Sequence, residues 1–257
     1  MKNRLLLLLL ALFWFGCQPE ASEFGVEPGS NTYNDDASPA RKVFCYSGDC
    51  EKPMTIEQYT YNKDRKLSRI EYLNRVSGDK LEVLSYEELI YNKHGNRVGK
   101  IRYGKYANET TWTVYNESEY DYENGVLKRE RNYFNQRNPE QRVLTGSVEY
   151  EFKDGKKVGQ RWLDANGQLS YRVEYEYKGN VLTRETWYSN AGKVNRYFAH
   201  SFAGNRRQIS EHMPNHAELL ALIEKTYDKQ GRLTTEETKV NNPLLCAMVP
   251  GLVRYEY

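Results

Sequence analysis

Two histidines, His212 and His216, stand four residues apart with Glu211 and Glu218 close by. Such a pair binds a metal when a helix turns both rings to one face. Pro214 lies between them and breaks such a helix, so they read as loop histidines and no metal or cofactor is expected. Cys45, Cys50 and Cys246 lack the second Cys-x-x-Cys or nearby His pair that zinc would need. Cys45-Tyr-Ser-Gly-Asp-Cys50 encloses a short loop that can close as a disulfide. A bridge from either cysteine to Cys246 is the alternative and would staple the first strand to the last. Carboxylates abound, and Glu149 and Glu174 would be the ones to test for glycan hydrolysis. That chemistry needs two carboxylates isolated in a cleft. Gly-x-Ser-x-Gly, phosphate-loop and dinucleotide fingerprints are absent. No catalytic residue is assigned, and the chain is expected not to be an enzyme.

The fourth cysteine has a different setting. Met1-Lys2-Asn3-Arg4 is basic, Leu5–Phe15 is an 11-residue apolar run, and Gly16-Cys17 follows. The run is too short to span a membrane and fits a secretory leader. The Gly-Cys junction resembles the lipobox of bacterial lipoproteins, although Trp14 and Phe15 replace its usual Leu and small residue. The resemblance implies cleavage before Cys17 and its acylation, which would hold the chain to a bilayer. Residues 1–16 are then the signal peptide. Residues 17–42, with prolines, Gly, Ser and acids, read as a lipidated tether. About 25 such residues span on the order of 25–30 Å.

Residues 43–257 form the expected domain. Tyr dominates its aromatic content, with 22 in the whole chain against 8 Phe and 4 Trp. Formal net charge is +2, and removing Lys2 and Arg4 leaves none. A neutral, evenly mixed surface offers no footprint for nucleic acid.

What must position these residues is a repeat. Tyr59-Thr-Tyr61-Asn62 leads to Leu67, Tyr91-Asn92-Lys-His-Gly95 to Val98, and Tyr120-Asp-Tyr122-Glu-Asn124-Gly125 to Leu127. Tyr150-Glu-Phe152-Lys-Asp154-Gly155, Tyr175-Glu-Tyr177-Lys-Gly179 and Tyr227-Asp228-Lys-Gln-Gly231 continue the series, and Tyr255-Glu-Tyr257 opens another copy. Recurring aromatics lie 25–31 residues apart. Tyrosines two apart share a strand face. Asn124-Gly125 and Asp154-Gly155 suit tight hairpin turns. Asp164-Ala-Asn-Gly167, Asn190-Ala-Gly192 and Asp228–Gly231 suit longer ones, with the Asx side chain closing on backbone N–H groups.

Acids crowd the strand before each turn (Glu87, Glu88, Glu119, Asp121, Glu149, Glu151, Glu174, Glu176) and bases the strand after it (Lys66, Arg69, Arg97, Lys100, Lys128, Arg129, Lys156, Arg161). They should meet across a solvent face, opposite a stripe of Tyr, Leu, Val and Ile. The fold expected is all-β: an antiparallel meander of hairpin repeats forming a curved single sheet or open roll. Ala217–Ile223 is ambiguous between helix and strand, and a long loop that can hold one helical turn is expected from Met213, followed by a strand into the Tyr227 turn. Asn241–Pro250 is a second long connection that can cap an open end.

The phrase Tyr-Asp/Asn-x-x-Gly-x-Leu resembles the YD repeat of the Rhs family, over residues 55–257. The resemblance implies a spiralling antiparallel sheet, and the chain is identified as a small YD-repeat lipoprotein. It holds too few strands for the closed shell of the large relatives, and their toxin-delivery role is not carried over.

The function expected is a lipid-anchored outer-membrane protein, periplasmic or surface-facing, with a non-enzymatic binding or scaffold role. Trp112, Trp162, Trp187, Tyr175 and Tyr177 are the candidate binding face for a glycan or protein ligand; the alternative is that they build the core. Two other functions compete: a glycan-acting enzyme with concave-face carboxylates, and an assembly component pairing through its terminal strand, Val253–Tyr257.

Overall fold

The computed structural model describes residues 38–45, 50–106, 109–135, 142–240 and 251–257. The leader, Cys17, the tether as far as residue 37, and Cys246 lie outside the described residues.

Among the described residues the chain forms sixteen strands. They are β1 (Arg41–Cys45), β2 (Thr55–Tyr61), β3 (Leu67–Ser77), β4 (Lys80–Tyr91), β5 (Arg97–Gly104), β6 (Thr113–Glu123), β7 (Val126–Asn135) and β8 (Arg142–Lys153). β9 (Lys156–Asp164), β10 (Leu169–Lys178), β11 (Val181–Ser189), β12 (Val194–Ala203), β13 (Arg206–His212), β14 (Ala221–Tyr227), β15 (Leu233–Val240) and β16 (Leu252–Glu256) follow. From β2 to β16 each strand pairs antiparallel with the next, and β1 lies between β2 and β16. The sheet is therefore a closed barrel.

This corrects the expected open sheet and the reading that the strands are too few to close. Two physical causes act together. In six hairpins the register shifts where the repeat aromatic sits, at Tyr61, Tyr91, Tyr122, Phe152, Tyr177 and Tyr227. Each shift inserts one extra residue into the second strand, and such bulges bend the strand and increase its twist. Several are held by a hydroxyl: Ser68 donates to the Thr60 carbonyl, Thr183 to Glu176 and Thr234 to Thr226, at 3.0, 3.1 and 2.9 Å. The second cause is β1. The copy that opens at Tyr255 contributes β16, and β1 pairs with it as the second strand of a hairpin would. β16 is thus not an edge strand, since it pairs with β1 along its length and with β15 over Leu252–Arg254.

The seven hairpin turns after the aromatics all lie at one end of the barrel. Asn62, Asn92 and Asp228 each accept two backbone N–H groups on one side-chain oxygen, as the sequence leads one to expect. Asn124-Gly125 and Asp154-Gly155 take positive φ at both positions, the requirement of a type I′ turn. At the other end Asp164 closes its turn in the same way, whereas the 189–193 turn is closed by the Ser189 hydroxyl and not by Asn190.

An aromatic collar stands beneath the turns. Tyr91 donates its hydroxyl to the Leu67 carbonyl, Tyr177 to Lys157 and Tyr257 to Leu233, at 2.7–2.9 Å. Tyr61 donates to Pro39 at 2.8 Å. Each bond ties one hairpin to the preceding one, which a Phe could not do.

Burial alternates along the strands: Ala221, Ile223, Lys225 and Tyr227 of β14 are buried, and the residues between them are not. Closure makes one face concave, where side chains converge and shield one another, so the buried set marks the inner wall. It carries Tyr120, Leu127, Val148 and Tyr150 in one cluster and Phe198, Ile209 and Ile223 in another. The outer face carries the expected ion pairs across a turn, Arg131–Asp121 at 2.6 Å and Arg161–Glu149 at 3.5 Å, and one between successive copies, Arg69–Glu88 at 3.2 Å. Near β1 the outer face is apolar instead: Val43, Cys45 and Ile56 pack with Leu73, Leu81 and Leu252.

Candidate functional site

The five aromatic candidates do not form one face. Trp162 lies opposite Tyr171 across β9 and β10, and Trp187 lies opposite Val173 across β10 and β11. Alternation puts all of them on the inner wall, where three rings stack. Ring centroids are 4.4 Å apart for Trp162–Tyr171, 5.4 Å for Tyr171–Trp187 and 5.6 Å for Trp162–Trp187. Phe198 meets Trp187 edge-on at 6.4 Å, and the Arg196 guanidinium lies over its ring at 4.9 Å. Tyr171 was missed in the sequence. Counting outward from the Asp164–Gln168 turn nearly finds it, but the bulge between Leu169 and Tyr171 displaces the register by one.

Tyr175 and Tyr177 sit on the same wall nearer the turns, each tied down. The Tyr175 hydroxyl bonds to Gln160 Oε1, and Lys157 Nζ lies over its ring at 4.5 Å. Tyr177 belongs to the collar. Trp112 is elsewhere, on the outside. It meets Tyr86 edge-on at 4.7 Å, while Tyr86 stacks on Tyr103 at 4.6 Å. Lys105 Nζ over Trp112 at 4.9 Å and the Arg69 guanidinium over Tyr86 at 3.6 Å flank this second cluster. Burial, and then the nearby Glu88 carboxylate, push the Tyr103 hydroxyl up from its ordinary pKa.

The inner wall also holds a belt of ionisable groups that the sequence reading placed outside or ignored. Glu87 is buried on this side, 3.8 Å from Arg102. His200, its side chain 1% exposed, lies between Glu185 at 3.3 Å on Nε2 and Arg207 at 3.0 Å on Nδ1. Arg207 can donate there only if Nδ1 is unprotonated. Lys225 pairs with Glu236 at 3.5 Å, Arg196 with Glu211 at 3.1 Å, and Tyr150 donates to Glu130 at 3.0 Å. Tyr59 bonds to Glu57, and burial followed by that carboxylate raises its pKa far above the ordinary tyrosine value. Arg97, expected on the solvent face with Lys100, lies in this belt instead, because alternation from Glu87 and Tyr91 turns it inward. Arg97, Lys157 and Arg207 occupy the place where the intervening copies have Leu67, Leu127, Leu182 and Leu233, so Leu and a cation alternate around the ring.

The carboxylates named for hydrolysis are neutralised on the outer face. Glu149 lies between Arg129 and Arg161, and Glu174 between Arg172 and Tyr188. An open depression of about 360 Å³ beside Glu149 is lined by Asp121, Glu123, Lys128, Arg129 and Tyr150. It is shallow and mixed in charge. His212 stacks on Tyr197 at 4.8 Å and bonds to Ser210, and exposed His216 donates its backbone N–H to Met213. Among the described residues no three His, Cys, Asp or Glu side chains gather as a metal site. Cys45 is bonded to Cys50, with Cα atoms 4.9 Å apart, so neither reaches Cys246.

No family model and no curated protein matches the chain. Solved structures do. A porin-like protein from Bacteroides uniformis aligns at 13% identity and TM-score 0.38, over 87% of this chain and 99% of that one. A porin-like protein from Bacteroides vulgatus aligns at 11% identity and TM-score 0.32, over 86% and 99%. The TcdB2-TccC3 structure without its hypervariable C-terminal region aligns at 11% identity and TM-score 0.25, over 79% of this chain and 13% of that one.

The outer face itself bears on the membrane. A lipid-spanning barrel presents an apolar band about 25 Å tall. Here Arg129, Glu149, Arg161, Arg172, Glu174, Glu224 and Lys239 point outward. This wall is built to meet water.

Proposed function

We propose that the chain is a small YD-repeat-like lipoprotein of the outer membrane, anchored through Cys17, whose barrel serves as a non-enzymatic binding or scaffold module. The observation that carries this reading is the outward lattice of charge on a closed barrel. A wall that does not suit lipid needs another attachment, and the leader with Gly16-Cys17 supplies one. Enzymatic roles lose support because Glu149 and Glu174 are matched by arginines and enclosed by no cleft. Replacing Cys17 with Ala should move the domain from the membrane to the soluble fraction. A barrel that stays in the membrane without Cys17 would overturn the anchor. Turnover of envelope polysaccharide that vanishes in Glu149→Gln would overturn the non-enzymatic reading.

A binding role has a specific surface in its favour. Tyr86, Tyr103 and Trp112 form the aromatic cluster on the water-facing side, whereas Trp162, Tyr171 and Trp187 stack within the inner wall. Glycan or protein ligands should therefore change the fluorescence of Trp112 and leave Trp162 and Trp187 unmoved. Single-Trp variants would read this directly. A response confined to Trp162 or Trp187 would place binding inside the barrel.

A further inference from the structure

We infer that β1 is an exchangeable strand whose partner is a second copy of this chain: β1 of one molecule closes the barrel of another, and the Cys45–Cys50 disulfide opposes the exchange.

The barrel has one seam. Connections of two to eight residues tie each strand to the next from β2 to β15. β1 and β16 come from opposite ends of the described chain and meet only by strand pairing, Arg41–Cys45 against Leu252–Glu256. β16 is in turn held to β15 over only Leu252–Arg254. An exposed Arg41–Glu256 ion pair at 3.2 Å adds little across this seam.

The slot is nonetheless made for this strand. Val43 and Cys45 complete the outer apolar cluster with Ile56, Leu73 and Leu252. On the opposite face Lys42 Nζ lies over Tyr59 and Tyr255, at 5.7 and 5.3 Å, and 3.9 Å from Glu57. Ala40 donates its N–H to the Glu256 carbonyl and accepts one from Tyr59. A vacated slot exposes two sheet edges and a buried apolar cluster, the pattern that recruits another strand. A β1 from an identical chain restores every one of these contacts without a new interface, which is why exchanging an element costs little.

The disulfide sets the reach. From Cys45 to Thr55 is ten steps of chain, about 35 Å when extended. Through the bridge the path is 4.9 Å plus five steps from Cys50, about 22 Å in all. Two barrels meeting wall to wall keep their sheets about 10 Å apart, and the strand must also travel sideways from slot to slot. The bridged connection leaves little slack for that crossing and the open one leaves ample.

The test uses the exported chain carrying Cys17→Ala and Cys246→Ser, held at high concentration with or without dithiothreitol and then diluted. Light scattering should give the single-chain mass without reductant and twice that mass after reduction, persisting on dilution. Cys45→Ser/Cys50→Ser should dimerise without reductant. Adding Arg41→Cys and Glu256→Cys to it should give a covalent two-chain band in non-reducing electrophoresis. A dimer in which the 41–256 bond stays within one chain overturns the exchange, as does a reduced chain that remains folded at the single mass. Equal dimerisation with the disulfide intact overturns its opposing role. If the double serine variant fails to fold, the reduced wild-type cysteine pair decides by mass alone.

Discussion

The two ends of the barrel are built to different rules. At the turn end, each hairpin repeats a short turn, an aromatic and, in six cases, a bulge. The Tyr hydroxyls then lace successive hairpins together. At the loop end the connections are uneven: Gly78-Asp79 is a tight turn, while residues 46–54, 105–112, 213–220 and 241–251 are long. Phe134 and Val143 face each other there, 40% and 50% exposed. One end is a periodic frame, and the other tolerates variety. Recurrence in a sequence therefore marks where the fold is pinned.

The contrast can be broken at graded points. Tyr227, 2% exposed in the collar, should be the costliest. Tyr227→Ala is expected to lower stability by about 3–5 kcal/mol, read from the urea midpoint. Gly125 has φ of +78° and open space around it. Gly125→Val should cost about 1–3 kcal/mol, through backbone strain alone. Tyr91→Phe removes the hydroxyl bond to Leu67 and should cost about 0.5–1.5 kcal/mol. Its size relative to Tyr227→Ala separates lacing from packing.

Smaller still is a pH effect at the Asp228 turn. Burial works against ionisation there, but the Arg232 N–H and guanidinium and the Gln230 N–H hold the carboxyl below the usual range. With the folded value depressed, the contribution is complete above the unfolded value of about 3.9. It is lost as pH falls through the lower folded value. Asp228→Asn should lose that acid dependence yet keep the turn, since Asn62 and Asn92 do the same work uncharged. Acid titrations of the two proteins should therefore diverge only below about pH 4. At the loop end Val143→Ala should move stability by no more than about 0.5 kcal/mol. A larger loss would erase the distinction between the ends.

The same distinction explains what could be read from the chain. Asx-Gly turns, the Tyr stripe and the cross-strand pairs such as Arg161–Glu149 depend on neighbours within a hairpin, so they were legible. Closure was not. It depends on bulges, which show only in the register, and on β1 meeting β16 across nearly the whole chain. Glu87 was placed on the solvent face because its neighbour Glu88 belongs there, and alternation sends the two opposite ways. The candidate aromatics divide between the two faces, Trp162, Trp187, Tyr175 and Tyr177 inside and Trp112 outside. Trp162 meets Tyr171 through pairing across strands, whereas Trp112 reaches Tyr86 from the connection before β6.

The recurring bulge has a consequence for size. If each hairpin turns the wall by a similar angle, eight hairpins complete a circle at about 45° apiece. The chain encodes seven with turns and assembles the eighth from its two ends. Circumference is then a matter of counting, and a lineage could widen or narrow this vessel in whole steps by copying or losing one thirty-residue phrase.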